Sequence, residues 1–199
     1  MRRLLAVVAL LIAIAVVPVV RRAPRPRGTG ATVERIAERL IAGGATGREL
    51  ADEAIRDVAL AVGHHSAWHL WESPRQSLRH GRGWSHQYNT ALMLVLRELG
   101  FDAKLVHAAR VRGFGHPWFM SGHTWVKVRI DGYWLDACAS SMSNRVGSVG
   151  FVPLTEELPL YRRTRWAIGL ALSPFVVDAV WRAWLSGDEM PAWVYEERR

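Results

Sequence analysis

The sequence predicts one folded domain of the α+β class behind an apolar amino-terminal segment. Three observations lead to this: an uncharged apolar run over residues 4–20, a long apolar helix pattern over His86–Leu99, and two alternating strand patterns joined by Asp131-Gly132. A chain of 199 residues, of which half are apolar, can bury one core of ordinary size. We therefore expect a single packed domain.

The apolar run LLAVVALLIAIAVVPVV is at the short limit for crossing a bilayer. Both a signal peptide and a membrane anchor have this pattern. The RRAPRPRG sequence that follows has no small-residue cleavage site and is charged where a cleavage region is neutral, which favours an uncleaved anchor. We expect an anchor or signal segment over 1–22, a Pro/Arg linker over 23–30 and the folded domain over 31–160. More arginines follow the run than precede it, which favours the cytoplasmic side.

The net charge is +8, and only Lys104 and Lys127 are lysines. The arginines cluster beside apolar runs, which indicates membrane lipid as a partner rather than nucleic acid, and no base-reading motif is present. The carboxy-terminal segment 161–199 is basic and rich in tryptophan. Its apolar stretch is interrupted by Pro174 and Asp178, so it is either a helix at the membrane interface or a helix packed on the sheet.

Capping signals divide the first part of the domain into helices. A short helix over residues 31–43 ends at Gly43-Gly44. Thr46 and Glu49 predict a capping box for a second helix, and Ser73 and Gln76 predict one for a third that ends near His80.

The longest helix of the domain is expected to be its buried centre. Its apolar residues cover most of the circumference, and Gly100 marks its end. Alternation predicts one strand over Ala103–Val111 and two more around Asp131-Gly132, a dipeptide typical of tight hairpins. The central helix is therefore predicted to pack on an antiparallel sheet.

Three polar residues of the predicted core suggest nucleophilic chemistry. Ser85 lies where the central helix begins, His123 begins one strand, and Asp136 lies on the next. A helix start stabilises an anion, an imidazole can take the proton of a nucleophile, and a carboxylate can orient the imidazole. Serine is also a frequent N-cap residue, so Ser85 has a purely structural alternative explanation.

The stretches GRGWSHQYNTALMLVLRELGFDAKLV and GHTWVKVRIDGYWLDA resemble the core of the transglutaminase-like superfamily. The family pattern has Gly-x-Cys at a helix start, an LG-[FI]-x-A strand entry, a His-x-Trp-Val strand and an aspartate. The resemblance covers roughly residues 48–155 and implies a papain-like fold with thiolate-dependent acyl transfer or amide cleavage. The sequence is also similar to the arylamine N-acetyltransferases, which share the glycine-rich approach and an asparagine matched here by Asn89.

Ser85 stands where the resemblance expects the reactive cysteine. A hydroxyl is far less acidic than a thiol and must lose its proton during attack. We consider acyl transfer or amide/ester hydrolysis by Ser85, His123 and Asp136, a catalytically inactive membrane-tethered binding or scaffold module, and an arylamine N-acetyltransferase-like activity. The expected ligand is a peptide, an acyl group or an amine, and the chemistry needs no cofactor.

The assignment of the acid depends on the hairpin register. If Asp131-Gly132 is a two-residue turn, Asp136 faces Lys127 and His123 faces Ser140, which leaves Asp136 about 13 Å from His123 at about 3.3 Å per residue. The longer spacing common in the superfamily would instead put Cys138 where the acid belongs. We retain Asp136 because Trp-x-Asp resembles the end of the motif, and we expect Cys138 to be a small buried apolar residue.

The remaining candidates would line a cleft around Ser85. We assign ligand contact to Trp84, His86, Asn89 and Trp125, although large aromatics also fill cores. The loop over 112–122 is a candidate lid or a simple connection. His64, His65 and His69 have helical spacing but no accompanying zinc-protease motif, so we predict packing or surface roles and no metal site.

Overall fold

The computed structural model describes residues 2–22, 27–113, 122–160, 162–189, 191 and 194–197. The helices are α1 (Arg2–Arg22), α2 (Val33–Gly43), α3 (Gly47–Ala61), α4 (Pro74–His80), α5 (Ser85–Glu98) and α6 (Arg162–Ser186). The strands are β1 (His64–Ser66), β2 (Arg82–Gly83), β3 (Ala103–Ala108), β4 (Val111–Gly113), β5 (His123–Ile130), β6 (Tyr133–Ala137), β7 (Phe151–Pro153), β8 (Leu158–Pro159) and β9 (Tyr195–Glu197).

Helix α5 lies at the centre of the domain. It contacts α2, α3 and α4 on one side and the strands β3 and β5 on the other. Those strands belong to a four-stranded antiparallel sheet of order β6-β5-β3-β8. Eleven of its fourteen residues are buried, which explains why apolar residues surround the whole helix. The predicted mixed fold, with a buried central helix on an antiparallel sheet, is confirmed.

The start of α5 differs by one residue from the prediction, and the difference matters for the site. Trp84 is the N-cap, and its backbone N–H donates to Oε1 of Gln87 at 2.8 Å. Ser85 is therefore the first helical residue and does not cap the helix. At the other end Gly100, with a φ of 88°, follows the last turn as predicted.

The other caps agree with the sequence in part. Ser73 and Gln76 form the predicted capping box at α4. Thr46 lies at the N-cap of α3, but its side chain makes no capping hydrogen bond, so that predicted box is wrong. Thr32 instead caps α2 by accepting from the N–H of Arg35.

The hairpin between β5 and β6 has the predicted turn and register. Asp131 and Gly132 both have positive φ, of 50° and 85°, and Lys127 pairs with Asp136. The strand expected over residues 103–111 is confirmed for Ala103–Ala108 and ends there, because the chain leaves the sheet after Ala108. The backbone of Arg110 bonds to Leu154 and Thr155 instead, and Val111 begins the separate strand β4.

The carboxy-terminal segment returns to the domain. Its last described residues form β9, which pairs with β1 in a small sheet of order β2-β1-β9. The sequence pattern did not indicate this strand. His64 and His65 accordingly lie on a strand rather than a helix, so the helical spacing considered for the histidines does not apply.

A second apolar cluster lies apart from the main core. It joins the end of α1 to α6 and to the region of β1, through Val19, Ala67, Trp68, Val176, Val180 and Val194. Within the described part of the chain, α1 is the helix long and apolar enough to cross a membrane. Thr29 and Gly30, at the end of the segment predicted as a linker, bond to the carbonyls of Leu78 and Arg79 and so lie fixed on α4.

Candidate active site

Ser85 lies at the first turn of α5, with 8% of its surface exposed. Its hydroxyl makes no hydrogen bond to any other residue that the structure describes. The N–H groups of a first helical turn lack partners within the helix and favour a negative charge nearby. The position therefore has the electrostatics that a nucleophile needs.

Asn89 connects α5 to the strands that carry the rest of the site. Its Nδ2 donates to the carbonyl oxygen of Thr124 at 2.6 Å and lies 3.5 Å from Sγ of Cys138, while its Oδ1 accepts from the N–H of Ala139 at 2.9 Å. The side chain is fully buried. Both ends of the amide thus bond within the domain, which gives Asn89 a structural role, and the ligand contact assigned from the sequence stays a prediction.

Ser85 and Asn89 share one face of α5, because residues four apart on a helix are neighbours. Asn89 contacts the residue after His123, and so this face of α5 is turned towards the start of β5. The nucleophile position and the imidazole strand therefore border the same region of the domain.

The imidazole of His123 is buried against aromatic rings. The ring is 4% exposed and contacts Phe151 edge-on at a centroid distance of 4.7 Å, while Trp125 stacks on it at 6.2 Å. Its Nε2 lies 3.3 Å from Sγ of Cys138. These contacts fix the orientation of the ring.

Cys138 lies beside the imidazole of His123, where a catalytic triad has a carboxylate. The thiol is completely buried, and its sulfur also faces the backbone N–H of Ser140 at 3.4 Å and Nδ2 of Asn89 at 3.5 Å. Cys138 is buried, as predicted. Its thiol contacts polar groups of the site, however, and does not only pack against apolar side chains.

The carboxylate of Asp136 has other partners. Oδ1 accepts from the indole N–H of Trp125 at 2.6 Å and lies 2.8 Å from Nζ of Lys127. Burial opposes the charge on Lys127, but the carboxylates of Asp136 and Glu157 outweigh it and raise the pKa of the ammonium group. The structure brings Asp136 to Trp125 and Lys127, and it does not bring Asp136 to His123.

Strand register explains which side chain reaches His123. Val126 pairs with Ala137 and Lys127 with Asp136, and the ladder ends at Ala137. Continued by one residue, this register sets position 138 opposite Trp125. In an antiparallel pair a long side chain reaches the diagonal neighbour two residues from its direct partner. Cys138 is this diagonal neighbour for His123, and Asp136 has the same relation to Trp125. Asp136 is therefore two residues too early in the chain to orient His123.

The predicted cleft residues have different surroundings. Trp125 is fully buried beneath His123, so in this structure it packs in the core, and its assignment as a ligand contact stays a prediction. His86 is buried, and its carbonyl accepts from the hydroxyl of Thr90. Trp84 is partly buried and packs against the second apolar cluster. Most of the candidate lid, residues 114–121, lies outside the described residues.

His69 lies just after β1 and is a buried, hydrogen-bonded residue. Its ring is hydrogen-bonded to Ser66, and burial followed by the charge of Arg82 lowers the pKa of His69 to about 4. Glu72 is bonded by Arg82 and His80. In the part of the chain that the structure describes, no three His, Cys, Asp or Glu side chains are grouped so as to hold a metal ion.

Two parts of the site had no signal in the sequence. Phe151 comes from a distant strand, and the backbone N–H of Ser140 carries no residue preference. Cys138 did have a signal, because the predicted register extended by two residues places it on the diagonal from His123.

Comparison with known proteins identifies the family of this chain. No curated protein matches the sequence. A crystal structure of a candidate cysteine protease from Cytophaga hutchinsonii is similar at 12% sequence identity and a TM-score of 0.46, over 65% of this chain and 44% of the other, so this chain spans less than half of that protein. The family model of the transglutaminase-like superfamily matches residues 34–137, more than half of the chain, and includes Ser85, His123 and Asp136. This chain belongs to the transglutaminase-like superfamily.

Proposed function

We propose that this protein is a pseudoenzyme of the superfamily, a membrane-tethered module that binds a peptide, acyl or amine ligand without turning it over. The proposed ligand site lies between Ser85 at the start of α5 and His123 at the start of β5, and we call it the crevice. The observation that carries the proposal is the contact between Nε2 of His123 and the thiol of Cys138. This contact occupies one of the two ring nitrogens, whereas an active triad needs one nitrogen for the nucleophile and the other for a carboxylate.

Acyl transfer by Ser85 would need the imidazole to take a proton and hold the resulting positive charge. An anionic partner at Nε2 stabilises that charge, and a thiol is a weak hydrogen-bonding group by comparison. The carboxylate of Asp136 is paired with Lys127 and Trp125 and would have to give up both contacts to help. These features argue against efficient proton removal from Ser85.

The second candidate is serine-dependent acyl transfer or hydrolysis, and one observation favours it. Ser85 does not cap α5, and so the structural explanation for a serine at this position is absent. A hydroxyl at a helix start beside an imidazole strand is the arrangement of a nucleophile. In this reading His123 would accept the Ser85 proton through Nδ1.

Fluorophosphonate labelling decides between the two candidates. Wild-type protein, Ser85→Ala and His123→Ala are incubated with a fluorophosphonate probe, and labelled peptides are identified by mass spectrometry. The pseudoenzyme predicts no Ser85 adduct in any of them. An adduct on Ser85 in the wild type that is lost in both variants would establish the serine-dependent activity instead.

Tethering by α1 is part of the proposal. Its support is the run of exposed apolar side chains and the arginines at both ends of the helix. The distribution of arginines favours a domain on the cytoplasmic side.

A further inference from the structure

The end of α1 is built into the domain. Val19 is 1% exposed and packs in the second apolar cluster with Trp68, Val176 and Val180. The indole N–H of Trp181 on α6 donates to the carbonyl oxygen of Ala15 at 2.7 Å. The last two turns of α1 therefore dock on the folded domain before the chain reaches the segment predicted as a linker.

The rest of α1 presents apolar side chains outward. The large apolar residues from Leu4 to Ile14 are 44–68% exposed. At about 25 cal/mol per Å² of apolar surface, a run of this kind strongly favours transfer from water into the hydrocarbon of a bilayer. A membrane that takes up this run also approaches the docked end of the helix, because both belong to one helix of 21 residues.

Trp84 connects this docked helix to the crevice. It packs against the second apolar cluster, and it is the residue directly before Ser85. The start of α5 therefore lies beside the cluster through which α1 joins the domain. The indole of Trp84 is apolar over most of its surface, so it can separate the cluster from Ser85 and also contact a hydrocarbon chain.

We propose that the ligand of the crevice is the acyl chain of a membrane lipid, which reaches Ser85 from the bilayer along Trp84. This inference rests on the proposed binding function and names its ligand class. Docking of α1 holds the crevice at the lipid surface. A lipid acyl chain can there bend out of the bilayer and enter the crevice without crossing water. A soluble peptide would not need this position.

Photocrosslinking in nanodiscs tests the proposal on the full chain. The discs contain phosphatidylglycerol with a diazirine either on the acyl chain or on the headgroup, and adducts are mapped by mass spectrometry. We expect acyl-chain adducts on the peptide that contains Trp84 in addition to those on α1. Adducts confined to α1, or adducts at Trp84 only from the headgroup probe, would overturn the proposal.

A matched pair of substitutions tests the role of docking. Val19→Ser removes a buried contact, whereas Val17→Ser changes the same side chain at a position that is 44% exposed. We expect Val19→Ser to lower the acyl-chain adducts at Trp84 at least several-fold and to leave those at Leu4–Ile14 unchanged, with no such loss for Val17→Ser. Trp181→Phe, which removes only the N–H donor to Ala15, gives a milder second variant if Val19→Ser does not fold. Equal adduct levels in every variant would contradict the proposal.

These outcomes are independent of the pseudoenzyme assignment. A fluorophosphonate adduct on Ser85 would overturn the assignment and leave the lipid contacts as measured. Absence of acyl-chain adducts at Trp84 would remove the lipid ligand and leave the assignment standing.

Discussion

The thiol of Cys138 lies 3.3 Å from Nε2 of His123, while the nearest acid along the same strand, Asp136, is bonded to Trp125 and Lys127. The two contacts involve residues that are two positions apart on each arm of the hairpin, 123 and 125 on one arm and 138 and 136 on the other. A substitution at position 138 should therefore change the charge next to the His123 imidazole while the backbone stays the same.

We expect the titration of His123 to respond to Cys138 and not to Asp136. Cys138→Asp should raise the pH at which the His123 ring titrates, because a carboxylate beside an imidazolium favours the charged form. Asp136→Asn should leave it unchanged, since that carboxylate is bonded to Trp125 and Lys127. The ring Cε1–H resonance, followed by NMR against pH, measures both. A clear shift in Asp136→Asn would restore Asp136 as the partner of His123.

Asn89→Ala should destabilise the domain by about 3 kcal/mol, because it leaves the Thr124 carbonyl and the Ala139 N–H buried without their partner. Thr90→Val is the matched control. Thr90 is also buried on α5, and its hydroxyl donates to the His86 carbonyl of the same helix, so loss of this bond should cost about 1 kcal/mol or less. Urea unfolding followed by circular dichroism measures the difference. Equal losses would show that Asn89 does not join α5 to the strands.

Much of this arrangement follows from local sequence signals, and the rest depends on distant contacts. Gly100 and Asp131-Gly132 fix the end of α5 and the register of the hairpin through backbone conformation alone. Helix α5 begins one residue before the predicted start. The backbone N–H of Trp84 at the N-cap donates to Oε1 of Gln87, and residue preferences do not indicate this bond. The docking of Val19 joins residues more than a hundred positions apart, and no periodicity within a segment can reveal such a contact.

Acid should destabilise the domain partly through His69. Burial and the charge of Arg82 lower its pKa from 6.5 to about 4, so the unfolded chain binds a proton more readily than the folded one between these values. Its neutral form therefore contributes stability that is complete above about pH 6.5 and is lost as the pH falls towards 4. One pKa unit corresponds to about 1.4 kcal/mol, so the full loss is on the order of 3 kcal/mol.

His69→Asn isolates this contribution from that of other groups such as Glu72. The amide can replace Nδ1 in the bond to Ser66 but does not titrate. The free energy of unfolding of the wild type, minus that of the variant, should fall between pH 6.5 and 4 and stay constant above. A difference that does not change with pH would exclude His69 as the titrating group.

A thiol introduced at position 85 should be reactive when position 138 carries a carboxylate. In Ser85→Cys/Cys138→Asp the new thiol lies at a helix start beside His123, and the new carboxylate lies beside Nε2 of the ring, with the N–H groups of Asn89 and Ser140 as hydrogen-bond donors. Helix dipole and imidazolium both favour the thiolate. We expect its reaction with iodoacetamide near pH 6.5 to be about ten-fold faster or more than that of Ser85→Cys/Cys138→Ala.

The two double variants are matched because each has a single thiol, at position 85, and they differ only in the group that faces His123. Wild-type protein measures the reactivity of the buried Cys138 thiol and should react slowest. Equal rates in the two double variants would show that position 138 does not act on the imidazole. A rate in both that equals that of an unfolded thiol would show instead that the crevice around Ser85 no longer brings a helix start and an imidazole together.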